Sequence, residues 1–245
     1  MPAFQKIEIV PVPALSDNYI WMVRDPASGS VAVVDPGQDQ PALAAAAERG
    51  WTIDHILNTH WHPDHTGGNV GIKAATGAPI IGPAEAEKVS PVDRVVAEGD
   101  RVTVGDLVAE VWDIPAHTAG HIAFYFEQAK MIFVGDTLFA MGCGRLFEGT
   151  AEQMFANMQR FASLPDDVMI YCGHEYTLAN ARFAYHMNPD SAAVSLRLAK
   201  VAKMREKGEV TLPTNVAEEK ATNPFMRARD AQELARLRTL KDSFG

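Results

Sequence analysis

Chemistry concentrates in one stretch of this 245-residue chain, Asn58-Thr59-His60-Trp61-His62-Pro63-Asp64-His65-Thr66-Gly67-Gly68, which places three histidines and one aspartate within six positions. Imidazole nitrogens and carboxylate oxygens are the ligand types that suit zinc, iron or manganese. Read as an extended segment, period two puts His60, His62 and Asp64 on one side and His65 on the other. Pro63 lacks an N–H and restricts His62, so a regular helix is not expected here. The helical pattern H-E-x-x-H is absent. Four ligands from one loop either complete one metal or begin two, depending on what the rest of the chain supplies.

The elements around that loop read as alternating strands and helices. Strands are predicted over 7–12, 19–23, 31–34 and 53–57, with an Ala-rich helix over 40–49 closed by Gly50. The His-rich loop leaves the end of the fourth strand, and a helix over 69–76 follows. Further strands are expected over 79–81, 101–104, 108–113, 122–126, 131–134 and 168–171. Thr150 with Gln153 marks a capping box for a helix to about residue 162. His117, Asp136 and His174 each stand in a loop just after one of these strands. In layered α/β architectures sites form from loops at one sheet edge, so His117 and His174 are expected ligands. His55, His121 and His186 read as structural histidines.

After Tyr176 the strand pattern stops. Helices are predicted over 177–186, from the N-cap Ser191 to 207, and over 231–240, with 212–224 as a connecting stretch. Residues 1–175 carry 10 Lys/Arg against 23 Asp/Glu, whereas residues 176–245 carry 12 against 8. The helical tail is therefore the basic part of a chain of net charge −9, suited to an anionic small molecule. The overall acidity argues against nucleic acid as a partner. No apolar run is long enough for a membrane span, and Met1 to Val10 lacks the pattern of a signal peptide. Two cysteines make no disulfide framework, which points to a reducing, cytoplasmic setting.

Thr59-His60-Trp61-His62-Pro63-Asp64-His65, with a later His, Asp and His, resembles the metallo-β-lactamase superfamily. Gly135-Asp136-Thr137-Leu138-Phe139, Gly142-Cys143-Gly144-Arg145, Gly173-His174-Glu175-Tyr176-Thr177, Asn223-Pro224-Phe225 and the terminal Arg238, Lys241, Asp242 and Phe244 are more specific. Together they resemble hydroxyacylglutathione hydrolase (glyoxalase II) over nearly the whole chain. The resemblance implies an αββα sandwich over residues 1–175 and a small C-terminal α-helical, glutathione-binding domain over 176–245. It implies two divalent metal ions per chain, zinc foremost, with iron or manganese also allowed by the ligand types. His60, His62 and His117 would hold the first ion and Asp64, His65 and His174 the second, with Asp136 bridging. The implied nucleophile is a hydroxide shared by the two ions. The reaction is hydrolysis of S-(2-hydroxyacyl)glutathione, typically S-D-lactoylglutathione, to the hydroxy acid and glutathione, the second step of methylglyoxal detoxification. Substrate contacts carried over from the family are Arg145, Phe147, Tyr176, Arg238 and Lys241. Phe147 departs from the Tyr of some members and loses a hydroxyl. A monomer is expected. The competing readings are a lactonase, another thioesterase, a mononuclear iron sulfur dioxygenase, or a non-catalytic metal-stabilised binding module.

Overall fold

The structure is a computed structural model and describes residues 7–244. Met1 to Lys6, within the segment read as having no leader, and the terminal Gly245 lie outside the described residues. The described residues divide into two compact units, one of residues 7–113 with 120–135 and the other of residues 114–119 with 136–244.

The first unit begins with β1 (Glu8–Ala14), β2 (Asn18–Arg24) and β3 (Val31–Val34), which pair antiparallel in turn. α1 (Asp39–Arg49) then crosses to β4 (His55–Leu57). α2 (Pro63–Thr66) and α3 (Asn69–Thr76) lead to β5 (Ile80–Gly82), and β6 (Arg94–Val95) closes the six-stranded sheet. β3, β4, β5 and β6 are parallel neighbours, and the runs Val31–Val34 and Ile80–Gly82 are buried throughout, as strands covered on both faces must be. Alternate residues choose the face. Ile20, Met22, Val31, Val33, Ile56 and Ile80 pack with Ala42 and Ala46 of α1 and Ile72 of α3 into one apolar core. The same unit holds four antiparallel strands: β7 (Arg101–Val104), β8 (Leu107–Asp113), β9 (Ile122–Phe126) and β10 (Met131–Gly135).

The second unit contains a two-stranded hairpin, β11 (Leu138–Phe139) with β12 (Gly142–Cys143), and the antiparallel pair β13 (Met169–Cys172) with β14 (Thr214–Asn215). Its helices are α4 (Ala151–Ala162), α5 (Thr177–Met187), α6 (Ala192–Glu206), α7 (Val216–Thr222) and α8 (Ala231–Asp242). The predicted capping box of α4 is complete, with Thr150 and Gln153 bonded reciprocally. Ser191 caps α6 through the Val194 N–H.

Two expectations are corrected. Residues 212–224 are not a plain connection: β14 and α7 lie within them, and the Asn215 side chain caps α7 through the Glu218 N–H. The His-rich loop is not extended throughout. Pro63 stands at the first position of a four-residue helix, where its missing N–H and fixed φ cost nothing. Asp64 and His65 therefore sit on a helical turn, and the His65 ring lies 4.2 Å from that of His60 instead of on the opposite side.

Candidate metal centre

Parallel pairing explains where the first ligand group forms. β3 and β4 run side by side with Val34 opposite Leu57, so the residues after each strand emerge at one edge. Asp35 bonds through its N–H to the Leu57 carbonyl and turns with φ +52°, a left-handed value that Asp tolerates better than most residues. Its carboxylate is buried. Oδ1 accepts from the Thr59 N–H at 2.7 Å and Oδ2 from the Thr59 hydroxyl at 2.7 Å. Asp35 Oδ2 also lies 3.2 Å from His65 Nδ1. Sequence reasoning missed this residue, because Asp-Pro-Gly after a strand reads as turn chemistry.

The bonds around Thr59 assign the His60 tautomer. The Thr59 hydroxyl proton is committed to Asp35, so its oxygen accepts from His60 Nδ1 at 3.0 Å. The lone pair of His60 is then on Nε2, which faces His62 Nδ1 at 3.1 Å. At His65, Nδ1 lies 3.2 Å from Asp35 Oδ2 and Nε2 lies 3.5 Å from Asp64 Oδ2. An outer ring nitrogen held by a carboxylate or hydroxyl, with the other aimed at a ligand partner, is the usual setting of a metal-bound histidine. Asp35, His60 and His65 bring their donor atoms within 4.8 Å of one another.

The backbone of this loop is fixed from several sides. Asn58 Nδ2 donates to the His65 carbonyl at 2.9 Å, and Asn69 Nδ2 donates to Asn58 Oδ1 at 2.7 Å. Asn18 Nδ2 donates to Asp64 Oδ2 at 3.1 Å. Gly37 approaches so closely that a Cβ there would stand 2.0 Å from the Asp64 carbonyl oxygen. His121, read as structural, stacks on His60 at 4.5 Å and bonds through Nδ1 to the Ile122 carbonyl. His55 borders an open surface cleft with Trp51 and Asp54, and burial lowers its pKa against the opposing pull of Asp54.

The second unit gathers the other three expected ligands. Asp136 Oδ2 lies 3.2 Å from His174 Nε2 and 3.6 Å from His117 Nε2, and all three side chains are buried. His117 Nδ1 donates to the Arg145 carbonyl at 2.9 Å, which directs Nε2 toward the carboxylate. Tyr176 stacks on His174 at 4.6 Å with the rings 5° from parallel, and Phe139 meets both rings edge-on. The donor set in each unit, imidazole nitrogens converging with carboxylate oxygens, therefore fits divalent cations at distances that a cation would make attractive.

The expected substrate contacts also lie in this unit. Phe147 is 60% exposed beside His117, with the rings 5.2 Å apart. Arg145 is exposed, its Nε 3.7 Å from Asp242 Oδ1. Lys241 lies over the rings of Phe183 and Phe244 at 5.7 and 5.6 Å. Burial first, then the charges of Arg238 and Arg145, lower its pKa; Asp242 opposes. Arg238 is not a solvated helix-end charge. It is 7% exposed, stacks over Phe225, donates to the Cys143 carbonyl at 2.7 Å and pairs with Asp242 at 2.9 Å. Cys143 and Cys172 are buried free thiols, and burial pushes them up to about 11 and about 12. They remain protonated at neutral pH and supply no thiolate ligand or nucleophile.

Residues 15–174 match the metallo-beta-lactamase superfamily model, and residues 175–244 match the model of the hydroxyacylglutathione hydrolase C-terminus. Hydroxyacylglutathione hydrolase of Erythrobacter litoralis is 49% identical over 230 residues, covering 94% of this chain and 92% of that protein. Its counterpart from Methylococcus capsulatus is 45% identical over 232 residues, covering 94% and 91%. Among solved structures, ETHE1 from Myxococcus xanthus superposes with a TM-score of 0.73 at 26% identity, covering 98% of this chain and 96% of that one. Among the described residues no helix is long and apolar enough to cross a membrane. The chain belongs to the hydroxyacylglutathione hydrolase family, thioester hydrolases built on the metallo-β-lactamase fold.

Proposed function

We propose that His60, His62, Asp64, His65, His117, Asp136 and His174 together hold two divalent ions, zinc foremost, and that the substrate is an S-(2-hydroxyacyl)glutathione such as S-D-lactoylglutathione. The setting inferred is a cytoplasmic monomer. The observation that carries the reading is the tautomer pattern: each bond partner on an outer ring nitrogen of His60 and His117, and the carboxylate beside His65, turns the remaining nitrogen toward another proposed ligand. Seven ligands exceed the needs of one tetrahedral or five-coordinate ion, and Asp136, close to two histidines at once, suits a bridging role. When bound, such a pair supplies Lewis acidity and brings the pKa of water from 15.7 to roughly 7.

The protein's own groups do the rest. The ligand shells keep His60 and His117 in the correct tautomer, and Asp35 and the Arg145 carbonyl prevent the rings from turning. Tyr176, stacked on His174, offers a flat wall and a hydroxyl at the edge of the ligand group, and Phe147 offers apolar surface beside His117. A thiolate is a competent leaving group, so no protein general acid is invoked. Residues 176–245 bind the glutathione portion in this reading. Arg145 and Lys241 are the cations placed to meet its carboxylates, while Arg238, buried and already bonded, orients Asp242 and the Cys143 carbonyl around them.

Substitution tests the substrate class. A charge-assisted hydrogen bond contributes roughly 1.5–3 kcal/mol, less where solvent screens it, as at exposed Arg145. Lys241→Ala with Arg145→Ala is expected to raise KM for lactoylglutathione by about tenfold, at 1.4 kcal/mol per decade. Metal content and the rate with a thioester lacking glutathione should stay unchanged. Because the pKa of Lys241 is lowered, its charge is lost on the acid side of 10.5 as pH rises. KM in the parent protein should climb over that alkaline range, and Lys241→Ala should remove the rise. An unchanged KM and a flat pH response in both proteins would return these residues to the solvated surface.

A further inference from the structure

We propose that Glu219 and Asn223, in and just after α7, are positioning residues for His117, acting through the β11–β12 hairpin. This rests on the reading of His117 as a metal ligand. The hairpin turn runs from Phe139 to Gly142 and contains Met141 at φ +59°, a left-handed value that a non-glycine residue holds only under external constraint. That constraint is visible. Asn223 Nδ2 donates to the carbonyls of Phe139 and Gly142 at 3.2 and 3.0 Å, and Glu219 Oε2 accepts from the Met141 N–H at 2.8 Å. Asn180 Nδ2 of α5 donates to the Ala140 carbonyl at 3.2 Å.

Glu219 itself is fully buried and saturated. Oε2 also accepts from Asn223 Nδ2 at 2.8 Å, while Oε1 accepts from Arg197 Nη2 and from the Thr214 hydroxyl, each at 2.6 Å. Asn223 cannot flip its amide, since its Oδ1 accepts from the N–H groups of Phe225 and Met226. The turn is therefore held by a carboxylate and an amide with one permitted arrangement.

What the hairpin carries is two residues further on. Gly144 packs so tightly that a Cβ would lie 2.0 Å from the Asp136 carbonyl oxygen and 3.0 Å from His117 Nδ1. The next carbonyl, that of Arg145, accepts the His117 Nδ1 proton. Phe139, at the other end of the turn, packs against His174 and Tyr176. Displacing the turn moves the acceptor that fixes the His117 tautomer and ring plane, and partners of this kind change metal affinity by about 10–100-fold.

Glu219→Gln separates positioning from plain stability. Arg197 has no acceptor, so the glutamine oxygen faces it, and the amide nitrogen confronts the Met141 N–H and the Asn223 amide. Thr214→Val is the control, removing a buried bond to Glu219 on the side away from the hairpin. Zinc affinity is measured by chelator competition, with His117→Ala as reference and melting temperature in parallel. Glu219→Gln is expected to weaken the binding that His117→Ala abolishes by about tenfold, and long-range 15N spectra should show a loss of the single His117 Nδ1–H tautomer. Thr214→Val should lower the melting temperature while changing affinity less than twofold. If Glu219→Gln does not fold, Asn180→Ala, which loosens the same turn from α5, should show the affinity loss at several-fold. Equal affinities in Glu219→Gln and Thr214→Val, or an unshifted Asn180→Ala where Glu219→Gln is unfolded, overturn the proposal. An unshifted His117→Ala overturns the ligand reading instead.

Discussion

Asp136→Ala is expected to reduce turnover by about 10³-fold and to leave the purified protein with less than its full metal complement. The carboxylate faces His174 Nε2 and His117 Nε2 at 3.2 and 3.6 Å and is itself buried, so no neighbouring solvent takes over its charge. A preorganised group that acts on transition-state charge is worth about 10²–10³ in rate, and loss of a metal adds to that. Asp64→Ala should be milder, because its side chain is 38% exposed and solvent takes over part of its charge. Turnover and elemental analysis on the same preparation decide the matter. Normal rate with both ions retained in Asp136→Ala would show the assignment to be wrong.

The second large effect is expected from a residue outside the ligand set. Asp35→Asn is isosteric, and the Thr59 N–H requires the amide oxygen at the Oδ1 position. The amide nitrogen then occupies the place of Oδ2, facing the Thr59 hydroxyl and His65 Nδ1. A donor there turns the hydroxyl proton toward His60 Nδ1 and drives the His60 proton to Nε2. One substitution thus inverts the His60 tautomer and removes its proposed ligating lone pair. Metal affinity should fall by about 10–100-fold, the range for residues that orient ligands, with turnover falling in parallel at limiting metal. Stability should fall much less than in Asp35→Ala, which leaves a buried Thr59 N–H unpaired at about 1–3 kcal/mol. The tautomers are read directly from long-range 15N correlations of the imidazole rings.

The stretches that carry the seven proposed ligands stand out in the sequence because the chain repeats one local pattern, a His or Asp just past an apolar strand, at His60, His117, Asp136 and His174. The helical tail was legible from its apolar stripes; Val194 and Val201 are buried in α6, and Leu234 and Leu237 in α8. What escaped has physical reasons. Two-residue strands such as β11 and β12 are too short to show a period. α7 lies between Pro213 and Pro224, and the prolines outweighed its Asn215 cap, whose side chain bonds the Glu218 N–H. Asp35 looked like a turn residue because its role depends on the register of β3 with β4, which only pairing reveals. The burial of Arg238 is not visible in the sequence, because its acceptor, the Cys143 carbonyl, lies 95 positions earlier.

The central claim is that this chain is a two-metal hydrolase of glutathione thioesters. It is tested most directly by titrating metal-free protein with zinc while following hydrolysis of S-D-lactoylglutathione. Activity should rise with added ion and level off at two zincs per chain, releasing glutathione without consuming oxygen. A plateau with full activity at one ion, or oxygen uptake that requires a single iron, would contradict it.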